Sequence, residues 1–176
     1  MPDHVHDNPQ SKNPPIWKPY GDMRSEGFGK DPYEERHRPA GPAVCPECEV
    51  AFVEGRWAWL DEPPDQAQDW LCPACRRARD QYPAGFVTVE GEFLSGHREE
   101  IVNLVRNVET SETAERPLHR ILELVDEEDG AMSITTTDVH LPRRIGEALE
   151  RAYRGKFEYH YAPNEHVLRG RWSRDV

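Results

Sequence analysis

The chain has 176 residues, a hydrophobic content of 36% and a formal net charge of −11. This acidic balance is unlike that of a general nucleic-acid binder, which carries a basic field. No run of apolar residues approaches the ~20 that cross a membrane, and the first 15 residues lack the apolar stretch of a secretory signal. A cytoplasmic location is therefore expected, with no membrane partner, and in that reducing compartment paired cysteines more often bind metal than each other.

Residues 1–44 are rich in proline, glycine and charge and show neither helical nor strand periodicity. This composition predicts a disordered or extended arm that can be removed without unfolding the rest of the chain. The arm also contains Trp17, Tyr20, Phe28 and Tyr33, which are unusual in a simple spacer. Two interpretations stay open, an inert tail or a segment that docks on the folded part or on a protein partner.

Residues 45–82 contain two Cys-x-x-Cys motifs, which together hold all four cysteines of the chain: Cys45, Cys48, Cys72 and Cys75. Each motif brings two sulfurs to one side of a turn, and two such turns complete the tetrahedral cage that Zn²⁺ prefers. A thioredoxin-type redox pair needs a single motif after a strand of a βαβ unit, which is not seen here. The sequence therefore predicts one structural zinc ion in a zinc ribbon or a treble clef.

The segment between the two motifs and the residues after the second motif complete the predicted module. A β-hairpin is expected over 51–60 with Gly55 at or near its turn, and a helix is expected to begin after Cys72. The tryptophans are expected to form a small core or, alternatively, a stacking surface: Trp57, Trp59 and Trp70. The following arginines are expected to neutralise the charge of the four thiolates: Arg76, Arg77 and Arg79.

Residues 83–176 predict an α+β domain. Strands are expected over 86–89, 118–125, 132–136, 156–161 and 166–172, from their β-branched and aromatic content. One helix is expected to begin at Ser95 as its N-cap, and a second at Thr137 or Asp138, ending at Gly155. The order βαββαββ predicts two layers, with helices against a mainly antiparallel sheet.

A catalytic site is not expected. Asp138, His140 and the adjacent threonines form a small polar group, and His97 and His119 are also available. These residues match no nucleophile–base motif and no phosphate loop, and Asp138 is more simply a helix cap. A closed four-thiolate site also leaves no coordination position for water. We therefore expect neither enzymatic activity nor a small-molecule substrate.

Several motifs resemble an uncharacterised bacterial family of zinc-ribbon proteins, over about residues 44–174. They are CPEC, GRWAW, CPACRR, YPAG, the stretch 91–107 and ITTTDVHLPRRIGEAL. That family is more loosely similar to the adaptor that escorts the large ribosomal subunit out of the eukaryotic nucleus, and to its archaeal counterparts. The adaptor has more Cys-x-x-Cys pairs than the two found here, and further domains. The resemblance implies association with the ribosome or other structured RNA, without the export role.

The last 36 residues carry eight basic and five acidic side chains, unlike the rest of the chain. On an ideal helix four arginines share a sector of about 100° opposite the apolar stripe: Arg143, Arg144, Arg151 and Arg154. Further basic residues lie on the following strands: Lys156, Arg169 and Arg171. Together with the resemblance, these residues predict an RNA-binding surface. Two alternatives are a solvated, salt-bridged helix face and a protein-interaction adaptor with a regulatory role.

Overall fold

The computed structural model describes residues 31, 33, 38–162 and 165–176. This part forms a mixed α+β protein with two sheets and three helices, as predicted, and none of its helices is long and apolar enough to cross a membrane. The strands are β1 (Ala43–Val44), β2 (Ala51–Val53), β3 (Arg56–Ala58), β4 (Gln68–Asp69), β5 (Gly85–Glu90), β6 (Ile121–Asp126), β7 (Met132–Thr136), β8 (Lys156–Tyr161) and β9 (Leu168–Ser173). The helices are α1 (Pro73–Asp80), α2 (Glu92–Glu115) and α3 (His140–Tyr153).

The first sheet carries the cysteine motifs and has the strand order β3-β2-β1-β4. Strands β2 and β3 form the predicted hairpin, in which Ala51 pairs with Ala58 and Val53 with Arg56. Glu54 and Gly55 connect them with φ values of 50° and 82°. Two successive positive φ values are the geometry of a tight hairpin turn, and glycine adopts this conformation without a steric penalty.

The end of the predicted arm nearest the first cysteine is part of the first sheet. Ala43 and Val44 form β1, which lies between β2 and β4, and Ala43 is fully buried. Upstream of this strand, the Asp31 carboxylate lies 2.8 Å from the buried guanidinium of Arg77. A two-residue strand has too few positions to show periodicity, which is why composition does not reveal it. Residues 1–30 lie outside the described part, and the predicted division at residues 44 and 82 stays a prediction.

The second sheet has the strand order β6-β7-β5-β9-β8. Its pairs are antiparallel except β5 with β9, so the prediction of a βαββαββ unit with a mainly antiparallel sheet is confirmed. Buried residues alternate along β5 and β9, and those of one face pack against α2 and α3. The core formed there includes Val87, Val89, Ile101, Ile145, Leu149 and Trp172. The partly buried Leu104 and Val108 of α2 pack against this core.

Helix α2 begins earlier than the sequence predicts. Its N-cap is Gly91 rather than Ser95, whose hydroxyl donates to the Glu92 carbonyl oxygen inside the first turn. Gly91 has a φ of 102°, and a Cβ there would lie 2.2 Å from the Arg174 carbonyl oxygen. Strand β5 therefore turns directly into α2, because glycine alone permits this conformation and this close approach.

We expect deletion of residues 1–44 to destabilise the first sheet, because it removes the central strand β1 and the Asp31 partner of buried Arg77. The loss of the buried ion pair alone is expected to cost about 3 kcal/mol or more. Denaturant unfolding measures this difference, and limited proteolysis locates it. Deletion of residues 1–30, which removes none of the described contacts, is the matched control. Equal stability of the two deletions would contradict the expectation.

Candidate metal centre

The first cysteine motif is a tight turn between β1 and β2. The Cys45 amide donates to the Val50 carbonyl oxygen at 2.9 Å, and the Glu49 amide donates to the Cys45 carbonyl oxygen at 2.9 Å. Glu49 has a φ of 66°, which lets the chain reverse directly after Cys48. The turn thereby brings the two sulfurs of the motif to the same side.

The second motif occupies the first turn of α1. Cys72 is the N-cap residue, Pro73 follows at a position where its missing amide costs nothing, and the Cys75 amide donates to the Cys72 sulfur at 3.3 Å. The Cys72 amide donates in turn to the Cys45 sulfur at 3.4 Å. A helix N-terminus favours negative charge, so this position stabilises thiolates.

The four sulfurs form one compact cluster, in which all four ligand atoms lie within 4.8 Å of one another. The sulfurs of Cys48 and Cys72 are 3.7 Å apart. A tetrahedral ion with sulfur ligands at ~2.3 Å requires sulfur–sulfur separations of about 3.8 Å. The described cysteines form no disulfide, and Cys45, Cys72 and Cys75 are buried. The arrangement therefore fits a metal ion, as predicted.

The pKa values of the cysteine thiols indicate that a nearby positive charge would stabilise the cluster. A hydrogen bond from Cys72 lowers the pKa of the Cys48 thiol to about 4. The hydrogen bond to Cys48 and burial raise the pKa of Cys72, and burial raises that of Cys75 to about 12. The protein alone thus favours one thiolate and opposes several. A divalent cation supplies the positive charge that lets all the sulfurs ionise together.

Arg120, which sequence reasoning missed, is the positive group that contacts the sulfurs. Its guanidinium donates to Cys48 at 3.1 Å and to Cys75 at 3.3 Å, and lies 3.9 Å from the Cys72 sulfur. Burial opposes its charge, but the Cys48 thiolate raises the pKa of Arg120 above its ordinary value. Arg120 precedes β6 and is 45 positions from Cys75, so no local motif indicates this contact.

Two of the three arginines predicted to neutralise the thiolates, Arg77 and Arg79, have other partners, so that expectation is wrong for these two. Arg77 donates to Asp31 and to the Tyr82 carbonyl oxygen, and its guanidinium lies 4.2 Å from the centre of the Tyr33 ring. Arg79 pairs with Glu47. The arginine that contacts the sulfurs is instead Arg120, before β6.

The tryptophans of the module are divided between its core and its surface. Trp57 packs against the cysteine cluster, and Trp70 is half-buried. Trp59 is 43% exposed, so the expectation of a three-tryptophan core is wrong for this residue. Its indole Nε1 donates to the Thr113 carbonyl oxygen at 2.8 Å, which ties the hairpin to α2.

The residues predicted to contact RNA lie on two layers of the molecule. Arg143 pairs with Glu147 at 2.7 Å, Arg144 lies 3.4 Å from Glu112, and Arg151 and Arg154 are exposed. All four belong to α3 or its C-cap, on the helical layer. The other three belong to the strands: Lys156 pairs with Glu158, Arg169 lies over the Phe86 ring, and Arg171 pairs with Glu90.

The strand residues of that set face away from the helices. Arg169 and Arg171 alternate along β9 with the buried Leu168, Gly170 and Trp172. Since Trp172 packs in the core under the helices, the alternating arginines lie on the opposite, open face of the sheet. The seven predicted residues therefore do not form one continuous surface, and their contact with RNA stays a prediction.

Of the polar residues considered for catalysis, Asp138, His119 and His140 lie together at the start of α3, and His97 does not. The Asp138 carboxylate accepts from the amides of His140 at 2.7 Å and Leu141 at 3.1 Å, so its side chain caps the first turn, although the N-cap residue is Val139. His119 lies beside both residues. His97 is elsewhere, with its Nδ1 3.0 Å from the Phe93 carbonyl oxygen.

Comparison with known proteins does not assign the chain to a family. No family model, no curated protein and no solved structure matches it. The bacterial family and the ribosomal adaptor therefore remain a predicted resemblance. The functional argument depends on the geometry of the chain itself.

We expect Arg120→Met to weaken metal binding by about 10- to 100-fold, as losses of groups that support metal ligands typically do. The variant keeps most of the side-chain volume and removes the charge that offsets the thiolates. Competition between the protein and a chromophoric chelator for added Zn²⁺ measures the affinity. Arg98→Met is the control, because Arg98 is exposed and pairs with Asp126 at 2.6 Å. Wild-type affinity in Arg120→Met would contradict a role for this contact.

Proposed function

We infer that this protein is a cytoplasmic, non-catalytic structural-zinc protein that associates with ribosomal or other structured RNA. The observation that carries the metal part is the compact cluster of four cysteine sulfurs. The RNA part depends on exposed cations at one end of α3 and on the predicted family resemblance. The two parts are separable and have separate tests.

Zinc is the ion that best suits this cluster. A site with four thiolates and no oxygen or nitrogen ligand favours soft or borderline metals, and Zn²⁺ takes this tetrahedral set without redox chemistry. A turn, a hairpin and a helix whose first turn carries the second pair are the order of a treble clef, which we assign over the zinc ribbon. Since four sulfurs fill the tetrahedron, the ion has a structural role.

We expect one zinc ion per chain in purified protein, measured by elemental analysis. Cys72→Ser should release it and loosen β1 to α1, because the loss of a ligand removes metal-linked folding energy. Hydrogen exchange of residues 43–80 measures the loosening, with β5 to β9 as the internal control. Less than half an equivalent of metal together with a Cys45–Cys48 disulfide would contradict the assignment.

The C-terminal end of α3 is the part of the predicted RNA surface that its neighbours leave available. Arg151 and Arg154 are exposed, and the described residues give neither an ion-pair partner. The Arg174 guanidinium donates to the Tyr153 carbonyl oxygen at the same end. Arg143, Arg144 and Lys156, by contrast, already have carboxylate partners. Phosphate groups would therefore meet the least competition at this end.

We expect Arg151→Glu with Arg154→Glu to abolish co-sedimentation with ribosomes and to weaken RNA binding at low salt. The logarithmic salt slope should fall by about one for each phosphate group that the variant no longer neutralises. Fractionated lysates and filter binding measure the two effects. The control is Arg56→Glu with Arg79→Glu, which makes the same change in formal charge on the cysteine module. Equal loss of binding in both variants would show a general charge effect, and a wild type that never binds RNA would overturn the proposal.

A protein-interaction adaptor is the second candidate, and the open face of the second sheet favours it. A cavity of about 660 Å³ lies there, in the size range of binding sites. Its lining includes Phe86 and Val125, and the latter is 42% exposed. Co-purification of one defined protein after nuclease treatment, abolished in Val125→Asp and kept in the double arginine variant, would favour this adaptor over the RNA proposal.

A further inference from the structure

The open face of the second sheet is a groove whose floor consists of short side chains. Ser133 and Thr135 of β7 and Thr88 of β5 lie on this face, because side chains alternate between the two faces of a strand. Phe86 of β5 pairs with Thr135, and Val125 of β6 pairs with Ser133. The cavity of about 660 Å³ is therefore flanked by apolar side chains on the strands either side of β7.

The two sides of this groove carry opposite charges. On the β9 side, the Arg169 guanidinium lies 4.3 Å from the centre of the Phe86 ring. On the β6 side, Glu123 and Glu127 line the groove, and neither has an ion-pair partner among the described residues. A segment that fits the groove therefore combines large apolar rings with a positive charge for its acidic side.

The first described residues of the chain lie at one end of the groove. The Tyr33 hydroxyl donates to the Asp80 carboxylate at 2.9 Å, and the Tyr33 ring is stacked on Tyr82 with ring centres 6.0 Å apart. Nearby, Asp31 pairs with the buried Arg77. The same stretch of chain lines the groove through Ala78, Gln81 and Pro83. The segment that precedes Asp31 is therefore attached within a few residues of the groove.

Residues 16–20 have the composition that the groove requires. Trp17 and Tyr20 supply two large rings, and Lys18 lies between them in the sequence. Prolines within and before this segment favour an extended backbone, which loses little entropy on docking. Tyr20 precedes Asp31 by 11 positions, which span up to about 36 Å when extended. Five strands spaced about 4.8 Å apart extend over only about 19 Å, so the segment can reach the whole face.

We propose that residues 16–20 dock in this groove of their own chain, with the Trp17 ring against Phe86 and Val125 and with Lys18 beside Glu123. The attachment at Asp31 makes the docking intramolecular, and the resulting high effective concentration lets a short segment bind through few contacts. The docked segment covers apolar surface on the open face, so a protein partner of this face must first displace it. The proposal stands whether or not the protein binds RNA.

Fluorine NMR of the full chain labelled with 5-fluorotryptophan tests the docking. The chain has five tryptophans, and the signal lost in Trp17→Phe identifies residue 17. We expect this signal to show a reduced solvent isotope shift in the wild type, as a buried fluorine does. Val125→Asp should restore the full shift of an exposed ring. Leu60→Asp is the matched control, because Leu60 is 45% exposed and lies outside the groove, and it should change nothing.

Two further measurements keep the result independent of folding defects. The signal of the fully buried Trp172, which packs on the other face of the sheet, should be the same in the wild type and in Val125→Asp. A photo-crosslinking amino acid at position 17 of the otherwise wild-type chain should attach to β5, β6 or β7. Lys18→Glu should increase the exposure of Trp17 at low salt and less so at high salt, because salt screens the repulsion from Glu123 and Glu127.

Three outcomes would overturn the proposal. A full isotope shift for Trp17 in the wild type would leave the groove to an external partner. A buried Trp17 that Val125→Asp does not expose, or that cross-links only outside the second sheet, would place the segment elsewhere. Burial that is lost on dilution, together with a dimer in sedimentation equilibrium, would assign the groove to the segment of a second copy.

Discussion

The close spacing of four cysteine sulfurs is the constraint on which the rest of the structure depends. The buried cluster of the cysteine module consists of Cys45, Val50, Cys72, Ala74 and Cys75, so it contains little apolar surface apart from the ligands. A core this small cannot offset the entropy of ordering the chain around it. A metal ion bound by the four sulfurs would add the stabilisation that this core lacks, and any thiolate in the cluster needs a counter-charge.

That counter-charge comes from the α+β unit, and this joins the two parts of the molecule. Arg120 contacts three sulfurs while its amide donates to the Thr137 hydroxyl and its Nε donates to the Pro117 carbonyl oxygen. Leu118 packs against the cysteine cluster from the same segment. Trp59 adds a contact in the opposite direction, from the hairpin to α2. Two of these contacts, from Arg120 and Leu118, meet at the sulfurs.

Patterns of neighbouring residues predicted the cysteine cluster and several strands. The Cys-x-x-Cys motifs indicated the cysteine cluster, and β-branched and aromatic content placed β7 and β8 at Met132–Thr136 and Lys156–Tyr161. Strand β1 was missed because two residues carry no period, and Gly91 replaced Ser95 as a cap because a neighbouring backbone fixes that turn. Arg120 and the separation of the basic residues onto two layers depend on contacts between distant segments. Neither is visible in spacing along the chain.

The position of β9 has a consequence for how the protein is made. Gly85 of β5 pairs with Leu168 of β9, which lies 83 positions further along, and β9 also joins β8 to the sheet. During synthesis β5 therefore emerges long before one of its two neighbours, and its hydrogen-bonding edge stays open to other chains. Pairing over such a separation is slow because a long loop must close first. Until β9 arrives, the nascent protein depends on other means of keeping that edge protected from aggregation.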